Sequence, residues 1–384
     1  MTRSDPVTVA VPREAGPDER RVSLVPDQVR TLEDAGLAVV VETGAGAAAW
    51  FADDAYAAAG AEVLPGPDVY GRADVVLGVG RPDPDALRAG QMVVGLLRPR
   101  EDPELMARLA ALGVTAVSLD ELPRTLSRAQ PMDALTSQAN VAGYKAVLVA
   151  ANALDRYVPM LVTAAGTARP ARFLVLGAGV AGLQAIGTAR RLGAVVSAYD
   201  IRPESRAEAR SVGATVPDLD SSDGRGEGGY ARALADGEEA ALRTALAPYI
   251  CASDAVITTA QVPGRRPPLL VDEETVKGMA PGSVIVDLAA GPYGGNTAAT
   301  RAGATVVTEN GVTVVGAGTL AATVPTAASA AYSRNITALL AHLVHDGRPV
   351  VDLTDEIQAG VVITHAGRIV HPVIANLLSQ GGLQ

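Results

Sequence analysis

The chain is expected to be an α/β protein made of two Rossmann-like, doubly wound parallel-sheet domains joined by two long helices. Three observations carry that expectation. Short apolar runs of strand length alternate with helix-compatible segments from residue 8 onward, the pattern of a parallel sheet covered by helices. A complete strand–helix–strand unit with glycines in G-x-G-x-x-G spacing fills residues 173–200. Two long helix-compatible stretches, 137–157 and 326–344, flank the glycine-motif region. The domain boundaries that follow are 1–136 plus 326–384 for the first domain and 137–325 for the second.

In the first domain, strands are expected at 7–11, 39–41, 75–79, 93–96 and 115–119, with helices at 26–35 and 103–112. The second helix has its ends written in the sequence. Asp102 stands at the N-cap, Pro103 at the first helical position, Glu104 in the first turn and Gly113 past the end. Gly44-Ala45-Gly46 follows a strand, but the downstream glycine spacing fails, so this domain is read as lacking a dinucleotide of its own. Residues 123–133, PRTLSRAQPMD, are polar and proline-bounded and read as a loop that presents side chains.

The glycine motif assigns a job to each residue type. Gly177 allows the tight turn off the strand, Gly179 lets backbone approach a pyrophosphate, and Gly182 lets the helix pack closely. The helix N-terminus offers N–H groups and a positive dipole end to phosphate. Asp200, at the end of the second strand, can accept hydrogen bonds from ribose hydroxyls and repel a 2′-phosphate. This favours NAD(H) over NADP(H), with Arg202 counting the other way; the plain alternative is a glycine-rich packing turn. Beyond it, helices are expected at 203–211, 238–247 and 273–279, and strands at 255–259, 284–287, 305–307 and 312–315. The acidic, Gly/Ser-rich run 218–229 reads as a mobile loop, with Tyr230 at its exit as a lid or a simple surface aromatic. A hairpin over 361–371 is expected to return to the first domain.

Composition narrows the function. A formal charge of −10 argues against a nucleic-acid footprint. The N-terminal segment lacks an apolar core, and no uninterrupted apolar stretch reaches ~18 residues, so neither a signal peptide nor membrane insertion is expected. Cys251 is the only cysteine, and no metal site is expected. Lys145 and Lys277 are the only lysines, and the four histidines (His342, His345, His365, His371) all lie late in the chain. His342 and His345, three apart on an expected helix, read as a solvated or interfacial face rather than metal ligands. Acid–base catalysis has little to draw on.

Several blocks are similar to one family: VAVPRE at 9–14, ERRVSLVP at 19–26, SRAQPMDALTSQANVAGYKAV at 127–147, TAAGT at 163–167, GAGVAGLQAIGTARRLGA at 177–194, GGYA at 228–231, ITTAQVPGRRPP at 257–268 and PGSVIVDLAA at 281–290. Together they resemble the soluble NAD(H)-binding alpha component of proton-translocating nicotinamide nucleotide transhydrogenase, in its split, freestanding form, within the alanine dehydrogenase/transhydrogenase family. The resemblance implies direct hydride transfer from NADH to NADP⁺ held on a partner subunit, coupled to proton translocation. It also implies a homodimer, NADP(H)-binding and membrane-spanning partner subunits, and a cytoplasmic location, peripheral at the inner face of the membrane. It places catalytic roles on Arg124, Gln130 and Asp133, with Asp133 on the nicotinamide carboxamide, Arg124 on carboxamide or phosphate, and Gln130 toward the facing nucleotide's ribose. The nucleotide contacts it implies are Arg124, Arg128, Gln130, Asp133, Thr136, Ser137, Gly177, Gly179, Val180, Gly182, Asp200, Ile201, Arg202, Gly229, Tyr230 and Gln261.

The departures are local. The loop reads PRTLSRAQ where the family has PRISRAQ, so either Arg124 or Arg128 could hold the functional place, Arg124 being favoured. The family's DLA-x-x-GGN stretch is longer, as DLAAGPYGGN at 287–296; Gly318-Thr319-Leu320-Ala321 replaces a Thr-Asn/Asp-aliphatic-Pro segment; and Thr323 sits where an arginine is common. Asp287 is either a polar contact or structural. Two other readings stay open, an alanine dehydrogenase-like oxidoreductase and a non-catalytic NAD(H) sensor. The first is disfavoured because alanine dehydrogenase uses a histidine and a lysine in its first domain, and residues 1–133 contain neither.

Overall fold

The computed structural model describes residues 6–219, 224, 232, 235–261 and 266–379. The chain divides into two compact units, Met1–Gln138 with Val324–Gln384, and Ala139–Thr323. The first unit opens with β1 (Thr8–Val11), α1 (Pro26–Asp34), β2 (Ala38–Glu42), α2 (Asp53–Ala59), β3 (Glu62–Leu64), α3 (Gly66–Arg72) and β4 (Val75–Leu77). Then come β5 (Met92–Gly95), α4 (Pro103–Ala111) and β6 (Thr115–Ser118). The Asp102 carboxylate accepts the Leu105 N–H at 3.0 Å, Pro103 occupies the first turn, and Gly113 follows the end of α4 at φ 74°. The elements α2, β3 and α3 go beyond the sequence expectation. Each helix is pinned by one buried side chain, Tyr56 and Val69, too few to make an apolar stripe.

α5 (Ala134–Ala153) carries the chain into the second unit, starting earlier and ending earlier than 137–157. A hairpin of β7 (Leu161–Thr163) and β8 (Gly166–Ala168) follows, ahead of the second sheet. The second sheet is built from β9 (Arg172–Leu176), α6 (Val180–Arg191), β10 (Val195–Tyr199), α7 (Pro203–Ser211), α8 (Asp236–Cys251), β11 (Ala255–Thr258), α9 (Glu273–Gly278), β12 (Val284–Asp287), β13 (Thr305–Val307) and β14 (Thr313–Gly316). Its order is β10-β9-β11-β12-β14-β13, parallel except for β13. Consecutive strand residues go to opposite faces: Phe173 and Val175 join the core on one side, Leu174 and Leu176 the core on the other.

The chain re-enters the first unit with α10 (Pro325–Leu343), β15 (Val344–His345), β16 (Arg348–Pro349), α11 (Glu356–Val361), β17 (Val362–His365), β18 (Arg368–Ile369) and α12 (Pro372–Ser379). The first sheet has the order β18-β17-β6-β5-β4-β1-β2-β3. It is parallel from β6 to β3, while β17 runs antiparallel to β6 with Val362 opposite Val117. The tight turn at Ala366 and Gly367 (φ 48° and 76°) joins β17 to β18 as a hairpin, so this edge departs from a purely parallel sheet. α10 ends at Leu343, so His345 is on β15 and not on a helix beside His342. The four apolar clusters each lie wholly within one unit.

Candidate functional site

The second sheet reverses its strand order between β9 and β11, and at such a switch point the crevice outside the carboxyl ends takes ligands. The glycine motif stands there, between β9 and α6. Gly177 has φ 96°, which an L side chain rarely adopts, and a Cβ on Gly182 would overlap the Gly177 carbonyl. Gly179 differs. It is the N-cap of α6, and among the described residues a Cβ there would meet only the Arg202 guanidinium, at 3.8 Å. The first two glycine demands come from the protein itself, whereas the space at Gly179 is open for a group from outside. Gly179 brings no capping side chain to the α6 N-terminus, where Val180 begins the helix, and first-turn N–H groups of this kind suit a phosphate.

Asp200 is buried at the end of β10 and accepts the Ala178 N–H of the glycine turn at 2.8 Å. Its carboxylate also accepts from Arg202, whose backbone N–H, Nε and Nη2 donate at 2.9, 2.9 and 2.8 Å. Hydrogen bonding to Asp200 holds the Arg202 guanidinium more firmly protonated than usual. The expected ribose acceptor is therefore engaged by its own neighbour, and a bound ribose has to share Asp200 with Arg202. Ile201 is half-buried between them, and Gln261 donates to the Leu288 carbonyl at 3.0 Å. Sequence reading leaves out Thr259, whose hydroxyl donates to the Gly177 carbonyl at 3.0 Å and so ties the turn after β11 to the motif. Asp287 is fully buried and saturated by Thr258, Ala289, Thr297 and Thr300, which makes it a structural residue. Gly229 and Tyr230 lie outside the described residues.

In the first unit, residues 123–133 are tied to the start of α5 through Arg124 and Asp133. Arg124 Nε donates to Asp133 at 2.9 Å and its Nη2 to the Thr136 hydroxyl at 2.7 Å. Thr136 returns two bonds to Asp133, from its backbone N–H at 2.9 Å and its hydroxyl at 2.6 Å. Ser137, a turn further, donates to the Ala134 carbonyl at 3.1 Å. Gln130 is exposed on a 3₁₀ turn, Ser127–Met132, within the stretch expected to be loop. Arg128 points elsewhere, pairing with Asp355 and Glu356 at 3.1 Å each at the start of α11. The structure thus brings together Arg124, Asp133 and Thr136 and separates Arg128 from them.

The first sheet reverses order between β4 and β1, and at this second switch point the protein's own side chains meet the strand ends. Glu14, just past β1, accepts the Val79 N–H at 2.6 Å and the Gly80 N–H at 3.1 Å. Burial pushes its carboxyl up to about 7, against the pull of those two N–H groups. Beside it, Arg21 is committed to Glu19 at 2.8 and 2.6 Å and to Gln138 at 2.8 Å. Glu14, Glu19 and Arg21 line a cavity of about 310 Å³ that also touches Arg13 and Gly44. The tail brings all four histidines into this unit, a point that a reading of residues 1–133 alone misses. His342 is held by Asp355 at 2.9 Å and His365 by Thr115 at 3.1 Å. His371 is buried 4.0 Å from Glu121, and burial lowers its pKa below the ordinary value. Both lysines lie in the second unit. Among the described residues, no cluster of three His, Cys, Asp or Glu could hold a metal ion, and no helix is long and apolar enough to cross a membrane.

Comparisons with known proteins agree across the whole fold. Residues 10–142 match the family model "Alanine dehydrogenase/PNT, N-terminal domain" and residues 146–372 the corresponding C-terminal domain. The chain is 43% identical over 376 residues to NAD(P) transhydrogenase subunit alpha of Cereibacter sphaeroides, covering 95% of this chain and 71% of that one. It is 38% identical over 378 residues to NAD(P) transhydrogenase subunit alpha of Haemophilus influenzae, covering 97% and 73%. The crystal structure of transhydrogenase from Sinorhizobium meliloti superposes with a TM-score of 0.83 at 38% identity, covering 95% of this chain and 99% of that one. Two domain matches in tandem and near-complete coverage place the chain in the alanine dehydrogenase/PNT family.

Proposed function

We propose that this chain is the NAD(H)-binding component of a proton-translocating transhydrogenase, passing hydride directly between NADH held here and NADP⁺ on a partner subunit. The reading rests chiefly on the glycine turn, with Gly179 open, the α6 N-terminus uncapped and Asp200 bonded to Ala178 at 2.8 Å. Similarity to proteins named as transhydrogenase alpha subunits supports it. In this reading Val180 and the glycines hold the pyrophosphate, and Asp200, with Ile201 and Arg202, holds the adenosine ribose. Asp133, oriented by Arg124 and Thr136, takes the nicotinamide carboxamide, and Gln130 reaches toward the facing nucleotide. NADP(H) binds to the partner, and the working assembly is a homodimer joined to NADP(H)-binding and membrane-spanning subunits at the inner face of the membrane.

Hydride transfer between two nicotinamides needs no proton acceptor at the reacting carbons. Catalysis then consists of holding the two rings in an attack geometry and excluding water. The first unit suits that economy. Its switch point has Gly78 and Gly80 after β4, Glu14 on the backbone N–H groups, and Arg21 neutralised by Glu19. A 2-oxo acid carboxylate finds no uncommitted arginine in Arg21, so alanine oxidation is disfavoured.

The test is a mixture of the purified chain with an NADP(H)-binding transhydrogenase domain, NADH and an NADP⁺ analogue of shifted absorbance. Transhydrogenation that requires both proteins is expected, with no NADH oxidation on adding pyruvate and ammonia. Rapid oxidation with pyruvate and ammonia would replace the proposal with an amino-acid dehydrogenase. Tight NADH binding without turnover would favour a sensor.

A further inference from the structure

The geometry points to Asn296 as a positioning residue for the nucleotide site: we propose that its buried amide holds the turn at 259–261 against the glycine motif and thereby sets NAD(H) affinity. This rests on the reading that the glycine turn binds the dinucleotide.

Asn296 is fully buried in the loop after β12. Its Oδ1 accepts the Ala260 N–H at 3.1 Å, while its Nδ2 donates to the Ala260 carbonyl at 2.9 Å and to the Pro268 carbonyl at 2.8 Å. One N–H on one side and two carbonyls on the other allow a single orientation of the amide. The pair of bonds to Ala260 reproduces what a neighbouring strand residue would give, where none is present. The side chain therefore holds Ala260 and Pro268 to one point.

The turn at 259–261 matters because of what it touches. Thr259 donates to the Gly177 carbonyl at 3.0 Å, and a Cβ on Gly177 would lie 3.2 Å from the Ala260 nitrogen. The turn after β11 is thus the wall against which the glycine turn is pressed. Gln261, next along, is fixed on Leu288 at 3.0 Å. Asn296 is itself placed by Asp287, which accepts from Thr297 at 3.2 Å and Thr300 at 2.6 Å. The extra length of 287–296 does not disturb this. It is taken up in a turn closed by Gly291 and Gly294, which bond to each other at 2.8 and 3.1 Å, with Tyr293 left exposed. A loop that looked drifted in sequence delivers Asn296 to a fully bonded position.

NADH titrations followed by fluorescence separate positioning from general support. Asn296→Ala should raise the NADH Kd at least tenfold. Asn310→Ala removes a different amide, whose donations go to the Val276 and Met279 carbonyls at 3.0 and 3.3 Å and not to the turn, so it should lower Tm yet leave Kd within twofold. Should Asn296→Ala fail to fold, Asn296→Asp keeps the acceptor for Ala260 and loses both donations, and a severalfold weaker Kd is expected. A Kd unchanged in the Asn296 variant that folds, or weakened equally by Asn310→Ala, overturns the inference alone. Absence of NADH binding by the parent chain overturns it together with the proposed function.

Discussion

Two arginines four residues apart in one loop have opposite fates, and the difference is testable. Arg124 is shared between Asp133 and Thr136, whereas Arg128 is spent on the N-terminus of α11. Arg124→Ala should lower the hydride-transfer rate by roughly a hundredfold, the scale expected when a reacting ring is misplaced by about 1 Å. Arg128→Ala should leave it within a fewfold; single-turnover rates with the NADP(H)-binding partner would read both, and the reverse ranking would reassign the loop. Glu14 makes a prediction about pH. Its carboxyl is raised from 4.5 to about 7 by burial, so between those values the native state keeps a proton that the unfolded chain has released. Stability accordingly falls as pH rises through that window and levels off above it, by at most about 3 kcal/mol. Glu14→Gln should flatten this slope in thermal unfolding measured from about pH 5 to about pH 8; identical slopes would rule the effect out. At this scale the sequence was readable where chemistry is local. Gly177, Gly182 and Asp200 follow from spacing alone, but the pairing of Asp200 with Arg202 and of Glu14 with Val79 depends on tertiary contacts that spacing does not carry.

The elements that could be read in advance carry their own boundaries. α4 is framed by Asp102, Pro103 and Gly113, and the structure uses each in that role. Replacing Asp102 with alanine removes the acceptor of the Leu105 N–H and should cost about 1 kcal/mol in urea unfolding, with activity retained. No loss of stability would mean that the cap contributes nothing. The segment 53–72 was not readable, because Ala- and Gly-rich turns of helix anchored by Tyr56 or Val69 alone produce no periodicity. The stretch 287–296 was readable only as a lengthened loop, since the work of Asn296 is done on residues nearly forty positions away in sequence.

For the whole molecule, alternation of strand and helix gave the two parallel sheets, and the late hairpin was expected to join the first of them. What alternation could not supply was the direction in which β17 pairs with β6, which is antiparallel, with the tight turn at Ala366 and Gly367 then adding β18 antiparallel to β17. The discontinuous first unit also has a consequence for how the protein is made. β6 ends at Ser118, but β17, the strand that covers its outer edge, begins only at Val362. At roughly 5–20 residues per second, a ribosome needs on the order of ten to fifty seconds to make the intervening chain. During that time the second unit can close around its own cores, while β6 waits as an unpaired edge rich in β-formers. The nascent chain is thus most exposed to wrong partners on polysomes, where neighbouring copies offer the same bare strand.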